Sequence, residues 1–225
     1  MGFVLISIII GLKIMSTYFK HRNRTFLLVG FAWIGLANPW IPDSINFLMY
    51  LISGQVLEEF YYLLIGNAFI PLFVLSWLTA FTDLKYTNKQ KMVIALTTIG
   101  SIIFEVAFLL LLTTNTILIG ESLGHFQYEF RPFIEIYLVT IILIVLITGI
   151  LLGLESMKSE DRKINWKGRF IIIAFILFSV GAILDSSIDL TPITVVITRV
   201  ILISSSISFY IGFIFPKSIE KLLLK

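Results

Sequence analysis

Long apolar runs, with basic residues concentrated in every second gap between them, constrain the fold of this 225-residue chain more than any other feature. Fifteen of the seventeen Lys and Arg residues lie close to the gaps after the first, third, fifth and last runs. An apolar run of roughly 20 residues can cross a bilayer as a helix. Short loops rich in Lys and Arg stay in the cytoplasm during insertion. The pattern therefore predicts a multi-pass protein of the cell membrane with its N-terminus outside and its C-terminus cytoplasmic.

The composition excludes an ordinary soluble domain. Hydrophobic residues make up 58% of the chain and charged residues 14%, whereas soluble domains average about 45–50% and about 25%. Seven membrane-spanning helices with short loops account for nearly the whole length, which leaves no room for a soluble catalytic domain. The net charge of +3 belongs to the basic loops, where it sets topology and attracts anionic lipid. The expected partner is the lipid bilayer and not nucleic acid.

The predicted architecture is all-α: a bundle of seven transmembrane helices that forms one domain over residues 1–225. Pro39 and Pro42 interrupt a stretch that is too long for one crossing and too short for two, so we expect a short surface helix after them, capped by Asp43 or Ser44. Pro192 is the expected first residue of the seventh helix. The predicted helices are 3–19, 25–39, 58–81, 92–112, 132–154, 170–185 and 192–215, with the surface helix at 44–53.

Two ionisable residues stand out because they lie deep inside predicted spans, where charge is costly and usually finds a partner. Glu105 lies beyond the midpoint of the fourth helix and Arg199 before the midpoint of the seventh, which puts both roughly 5 Å toward the outer leaflet at 1.5 Å per residue. Matching depth and opposite charge make them candidate partners. The pair has three readings: an ion pair that fixes helix packing, a site where Arg199 receives a carboxylate or phosphate, or a lipid-contact or proton-linked role.

Other polar residues accompany these charges. Ser101 and Thr98 continue the polar face of Glu105 at helical spacing. In the third helix, Pro71 cannot donate a hydrogen bond to the carbonyl of Asn67, so we expect a kink. The freed carbonyl is either the wall of a pocket or part of a purely structural kink.

A further charged group lies near the predicted outer interface. Arg131 and Glu135 are four residues apart and are expected to pair along the fifth helix. Asp185 and Asp189 flank the sixth helix, where an aspartate or Thr191 is expected to cap the seventh. The alternative is an acidic mouth that attracts cations or amines.

The catalytic patterns that membrane enzymes use are missing from the sequence. With two histidines, His21 and His125, a three-histidine zinc site cannot form. The one GxSxG match, GESLG at residues 120–124, lies in a predicted loop with no helix directly after it, and no serine is paired with a membrane-embedded histidine. The seventh helix carries Arg199 where a retinal-binding opsin needs a lysine. We therefore expect no enzymatic activity, no metal and no cofactor.

The segment from Gly54 to Leu84 resembles the third helix of the seven-helix sensory region found at the N-terminus of some membrane histidine kinases. The likeness covers about thirty residues and lies in an acidic and aromatic entry, a step from glycine to proline, and a Phe-Thr pair before the basic turn: Glu58, Glu59, Tyr61, Tyr62, Gly66, Pro71, Phe81 and Thr82. Those receptors continue into a kinase, whereas this chain stops soon after the seventh helix. The resemblance thus implies a separate cytoplasmic signalling partner.

These patterns predict a stand-alone receptor or sensor-like membrane protein with a pocket for a small molecule or lipid in its outer half. A ligand would shift the population of helix arrangements that a cytoplasmic partner recognises. The alternative is a small-solute or ion carrier or channel whose path is lined by Glu105 and Arg199. The residues predicted to bind the ligand are Arg199, Glu105, Asn67, Ser101, Tyr62 and Glu135.

Overall fold

The computed structural model describes residues 1–124, 127–187 and 191–224, and these residues are helical apart from short connections and one hairpin. The ten helices described are α1 (Gly2–His21), α2 (Arg24–Leu36), α3 (Ile41–Ser53), α4 (Glu59–Asn67), α5 (Ile70–Leu84), α6 (Gln90–Thr114), α7 (Pro132–Met157), α8 (Arg162–Ser187), α9 (Pro192–Ile214) and α10 (Lys217–Leu223). The antiparallel strands are β1 (Gly120–Gly124) and β2 (Gln127–Phe130).

Six helical segments in the described part of the chain are long and apolar enough to cross a membrane, or seven if the bent pair α2–α3 forms one span. This confirms the all-α class and agrees with a multi-pass membrane protein. The count of seven and the orientation stay predictions. We call the end of the bundle that carries Trp40 and Asp185 the N-terminal end, and the end that carries Lys85 and Lys163 the basic end.

A helix is present where the surface helix was predicted, but it begins earlier than expected. After a single turn of 3₁₀ helix at Asn38–Trp40, α3 starts at Ile41 and is bent by 41° from α2. Proline is well tolerated in a first helical turn, so Pro42 lies in the first turn of α3 and does not delay its start. The expected N-caps are therefore wrong, because Asp43 lies inside the first turn. Gly54 ends α3 with a φ of 69°, a backbone conformation that favours glycine.

Aromatic packing and close backbone approach hold the centre of the bundle. Trp33 of α2 stacks on Phe209 of α9, with ring centroids 3.6 Å apart. Trp77 of α5 donates a hydrogen bond to Thr148 of α7, 2.7 Å away. Gly149 and Gly153 form a GxxxG step of α7 that lies against α8, where a Cβ on Gly149 would come within 2.1 Å of the Phe175 ring. By contrast, α6 is peripheral, with only 11% of its most apolar window buried.

Two further differences from the predictions, at the start of α8 and between α6 and α7, have physical reasons. The predicted sixth helix starts at residue 170, whereas α8 starts at Arg162, because hydropathy marks only the apolar part of a helix that continues into polar surroundings. The segment between α6 and α7 was expected to be a loop and contains the β1–β2 hairpin. Apolar alternation is the usual sign of a strand, but β1 shows none, and in β2 it covers only the four residues QYEF.

Candidate functional site

Asp185 near the end of α8 is the centre of a polar cluster at the N-terminal end. Its Oδ1 accepts hydrogen bonds from Arg199 Nη1 at 2.7 Å and from Thr198 Oγ1 at 2.9 Å, both on α9. Its Oδ2 accepts from the indole nitrogen of Trp40 at 2.6 Å. The side chains of Arg199 and Asp185 are 22% and 10% exposed. Asp185 therefore joins three segments of chain and is not the cap that we expected.

Arg199 has a second contact in this cluster. Its guanidinium lies 5.9 Å from the ring centroid of Trp40, which is within cation–π range. A guanidinium has five N–H donors, and Asp185 receives one of them. In the described part of the chain no other acceptor is hydrogen-bonded to Arg199. This leaves donors for a further acceptor at a half-buried position.

Tyr62, a predicted site residue, connects α4 to the same end of the bundle. Its hydroxyl donates to Asp43 Oδ1 at 2.6 Å, and its ring stacks on Tyr128 of β2 with centroids 4.0 Å apart. Burial, with a smaller contribution from Glu59, raises the pKa of Tyr128 to about 12, so this phenol stays neutral. The stack attaches the hairpin to α4.

The α2–α3 bend and the α4–α5 break are held together by one side chain. Asn38 Nδ2 donates to the backbone carbonyls of both Ile65 and Gly66 at 2.8 Å. These carbonyls lie just before the break, where α4 ends at Asn67 and α5 begins with Pro71 in its first turn. The helix is thus interrupted where the kink was predicted. Sequence reasoning missed Asn38, although an amide before a proline within an apolar run pointed to it.

Asn67 is fully buried and is only partly satisfied. Its Nδ2 donates to the carbonyl of Leu63 at 3.0 Å, while its Oδ1 has no hydrogen-bond partner among the described residues. A buried acceptor without a partner costs about 1–3 kcal/mol. Such groups in a folded protein call for a functional or structural explanation.

Glu105 lies on α6, away from Arg199, so the predicted pairing of these two residues is wrong. It lies near Tyr137 of the adjacent helix α7, and the Tyr137 ring stacks on Phe104 with centroids 3.5 Å apart. Its Oε2 is buried and has no hydrogen-bond partner among the residues that the structure describes. Ser101 is half-buried one turn earlier on α6. Both predicted site residues thus belong to the α6–α7 side of the molecule.

Glu135 is exposed, and its predicted ion pair with Arg131 is also wrong. Arg131 instead pairs with Glu121 of β1 at 2.7 Å, because the unpredicted hairpin brings that carboxylate to the start of α7. Thr191 caps α9, which begins at Pro192 as expected. The predicted roles of His125 and Asp189 lie outside the described residues.

Arg199 does not line either of two clefts that the described residues form. The larger, about 520 Å³, lies between α1 and α9, and its lining is Ile9, Ile10, Leu12, Lys13, Ser16 and Tyr210. The smaller, about 330 Å³, lies at the basic end. Within the described residues there is no group of three His, Cys, Asp or Glu side chains that could hold a metal ion. The outer-half pocket stays a prediction.

Comparisons of the chain with known protein families, with curated proteins and with solved structures find no match. The resemblance to the sensory region of histidine kinases therefore stays a prediction as well.

Proposed function

We propose that the chain is a membrane receptor or sensor whose polar cluster at the N-terminal end responds to a small anionic molecule or lipid. The observation that carries the proposal is the Asp185–Arg199 ion pair, which joins the α8–α9 hairpin to Trp40 at the α2–α3 bend. Within a hydrocarbon surrounding, a charge without its partner is costly. A change at this pair is therefore expected to move the helices that carry it.

Arg199 is the group best suited to meet a ligand. Charge-assisted bonds from a guanidinium to a carboxylate or phosphate are among the strongest in proteins. A ligand anion would use the donors of Arg199 that Asp185 leaves free, or would compete with Asp185 for the same donor. A ligand that prefers the arrangement with a loosened Asp185 shifts the population toward it.

The α8–α9 hairpin offers the route to the opposite end. At the basic end, Lys163 pairs with Glu220 of α10 at 2.8 Å, and Lys167 donates to the carbonyl of Phe213 at 3.0 Å. These contacts join the start of α8 to the end of α9 and to α10. The basic loops predict that this end is cytoplasmic, where a signalling partner would meet it.

Hydrogen exchange tests whether the two ends are coupled. In Arg199→Gln, we expect faster amide exchange at the N-terminal end and also around Lys163 and α10. The matched control is Arg131→Gln, which breaks an ion pair at the same end of the bundle but outside α8 and α9. If the exchange changes are confined to the N-terminal end, or if α10 changes equally in both variants, the two ends are not coupled through α8 and α9.

A stability screen tests the ligand. Purified wild type and Arg199→Gln are heated in detergent with glutamate, inorganic phosphate or oleate. A compound that binds only the folded state adds about 2.7 kcal/mol at a hundredfold excess over its dissociation constant. We expect a stabilising anion for wild type whose effect is lost in Arg199→Gln. Equal stabilisation of both proteins would remove Arg199 from the site.

The carrier alternative is favoured by a separate observation, the two interrupted helices joined through Asn38. Discontinuous helices form substrate and ion sites in many transporters, and Asn67 and Glu105 each have a buried oxygen without a partner among the described residues. Proton flux into liposomes, followed with an enclosed pH-sensitive dye, tests this alternative. Flux in wild type that is lost in Glu105→Gln would favour a carrier over a sensor.

A further inference from the structure

The cleft of about 330 Å³ at the basic end has a lining unlike that of the bundle. It lies where the α7–α8 connection meets the first turns of α8, and its lining is polar, charged and aromatic: Ser159, Glu160, Arg162, Asn165, Trp166 and Arg169. The apolar part of α8 begins directly afterwards, at Phe170. If α8 crosses a bilayer, the cleft lies at the level of the lipid headgroups.

Arg169 is held in place on one side of this cleft. Its Nε donates to Asn165 Oδ1 at 3.1 Å, and its guanidinium carbon lies 4.7 Å from the centroid of the Trp166 ring. Asn165 is fixed in turn, because its Nδ2 donates to the carbonyl of Met157. Restraining a side chain before binding lowers the entropy lost on binding. The terminal nitrogens of Arg169 are thus presented by a side chain that is already ordered.

The two arginines of the cleft differ from the lysines around them. Lys158 pairs with Glu155 at 3.2 Å and Lys163 pairs with Glu220 at 2.8 Å. Among the described residues, neither Arg162 nor Arg169 has an acidic partner within ion-pair distance.

Glu160 also lines the cleft and opposes an anion there, which leaves a net charge of +1 on the lining. The cleft thus has two guanidinium groups without an acidic partner among the described residues, and one carboxylate that repels an anion.

We propose that this cleft binds the phosphate of an anionic glycerophospholipid. Guanidinium groups bind phosphate with paired hydrogen bonds, and tryptophan is typical of the membrane interface. Basic side chains directly beside a membrane helix attract anionic lipid. A lipid is favoured over a soluble phosphate because the cleft lies at the start of the apolar part of α8, where acyl chains extend along the helix. The inference is independent of the cluster at Arg199.

Native mass spectrometry in detergent tests the site with phosphatidylglycerol and phosphatidylcholine of matched acyl chains. We expect wild type to retain one phosphatidylglycerol in preference to phosphatidylcholine, and Arg162→Gln/Arg169→Gln to bind it about tenfold more weakly. The matched control, Lys89→Gln/Lys91→Gln, removes two exposed charges at the start of α6, at the same end of the bundle. Equal weakening in the control, or no weakening in the arginine variant, would overturn the proposal.

A variant that should bind more tightly guards against effects of misfolding. Glu160→Gln removes the opposing carboxylate, so we expect it to bind phosphatidylglycerol several-fold more tightly than wild type. An unchanged or lower affinity in a protein of normal helical content would count against the cleft as the site.

Trp166 provides a local readout. Phosphatidylglycerol with brominated acyl chains should quench its fluorescence in nanodiscs. The other three tryptophans are expected to contribute little to this quenching, because Trp33 and Trp77 are 1% and 2% exposed and Trp40 lies at the N-terminal end. Loss of the added quenching in Trp166→Phe and in the double arginine variant would support the site. Full competition by millimolar glycerol phosphate would instead identify a soluble anion as the ligand of the cleft and would overturn the proposal that a lipid binds there.

Discussion

Arg199 on α9 and Glu105 on α6 are both charged residues inside helices that are apolar enough to span a membrane, yet their surroundings are opposite. The carboxylate of Asp185 accepts hydrogen bonds from Arg199, Thr198 and Trp40. The carboxylate of Glu105 has a buried oxygen with no partner among the described residues. One charge is built into a network, and the other lies on the most exposed of the long helices.

The difference follows from the position of each helix in the bundle. α9 packs against α8 along its length and against α1, where Ser7 and Ser206 share a hydrogen bond of 3.0 Å. α6 packs mainly on α5 and reaches α7 through Phe104. A charge on a central helix meets polar groups from several neighbours. A charge on a peripheral helix meets few, so it is more exposed to changes in lipid, ligand or proton.

The largest expected effect is at the networked charge. Arg199→Gln leaves Asp185 charged and mostly buried, so we expect a loss of about 3 kcal/mol in the free energy of unfolding. Titration with SDS from a mild detergent measures it. In Asp185→Asn/Arg199→Gln part of the loss should return, because no buried charge is left without a partner. A strictly additive double variant would show that the two side chains do not act as a pair.

The Asn38 bridge should have the next largest effect. Asn38→Ala removes the donor to the carbonyls of Ile65 and Gly66, and the cost of leaving buried acceptors without partners predicts a loss of about 2 kcal/mol. The same unfolding titration checks this value. Asn88→Ala, in the loop before α6, is the matched control and should leave stability unchanged. A loss of stability no larger than the scatter of the control would mean that other groups donate hydrogen bonds to the carbonyls of Ile65 and Gly66.

A smaller effect is expected at the edge of the cluster. Tyr62→Phe keeps the stack on Tyr128 and loses only the hydrogen bond to Asp43, which predicts a loss of about 1 kcal/mol. Tyr61→Phe is the control, since Tyr61 is 50% exposed. Thermal unfolding of both variants should separate them by a few degrees. Identical melting would indicate that the Asp43 contact does not contribute to stability.

The smallest effect is expected at the isolated charge. Glu105→Gln removes a charge that has no partner among the described residues, so we expect a change within about 0.5 kcal/mol or a slight gain in stability. The SDS titration used for Arg199→Gln gives a direct comparison. A loss as large as that at Arg199 would break the contrast between the two charges and would imply a partner outside the described residues.

The sequence predicted the elements whose signals are local. The interruption at Asn67–Pro71 and the start of α9 at Pro192 both follow from the backbone chemistry of single residues, and the structure contains both. The β1–β2 hairpin was missed because β1 lacks alternation and β2 alternates over only four residues. The ion pairs of Arg131 and Arg199 were assigned to the wrong carboxylates.

These errors share a physical cause. Depth along a helix can be read from the sequence, because each residue advances the chain by a fixed 1.5 Å. Which helix faces which cannot be read in this way, because that depends on how all the apolar surfaces pack together. Glu105 and Arg199 were matched by depth and charge alone, and both properties were compatible with helices that are not neighbours.

By itself, the sequence determined that this chain forms a set of long apolar helices, because only a helix satisfies the backbone of such runs in a bilayer. It also placed the breaks, since proline removes a donor wherever it occurs. The tertiary structure alone decided that Asp185 is the partner of Arg199, that Asn38 bridges two breaks and that α6 is peripheral. Those contacts join residues far apart in sequence, and only packing brings them within hydrogen-bond distance.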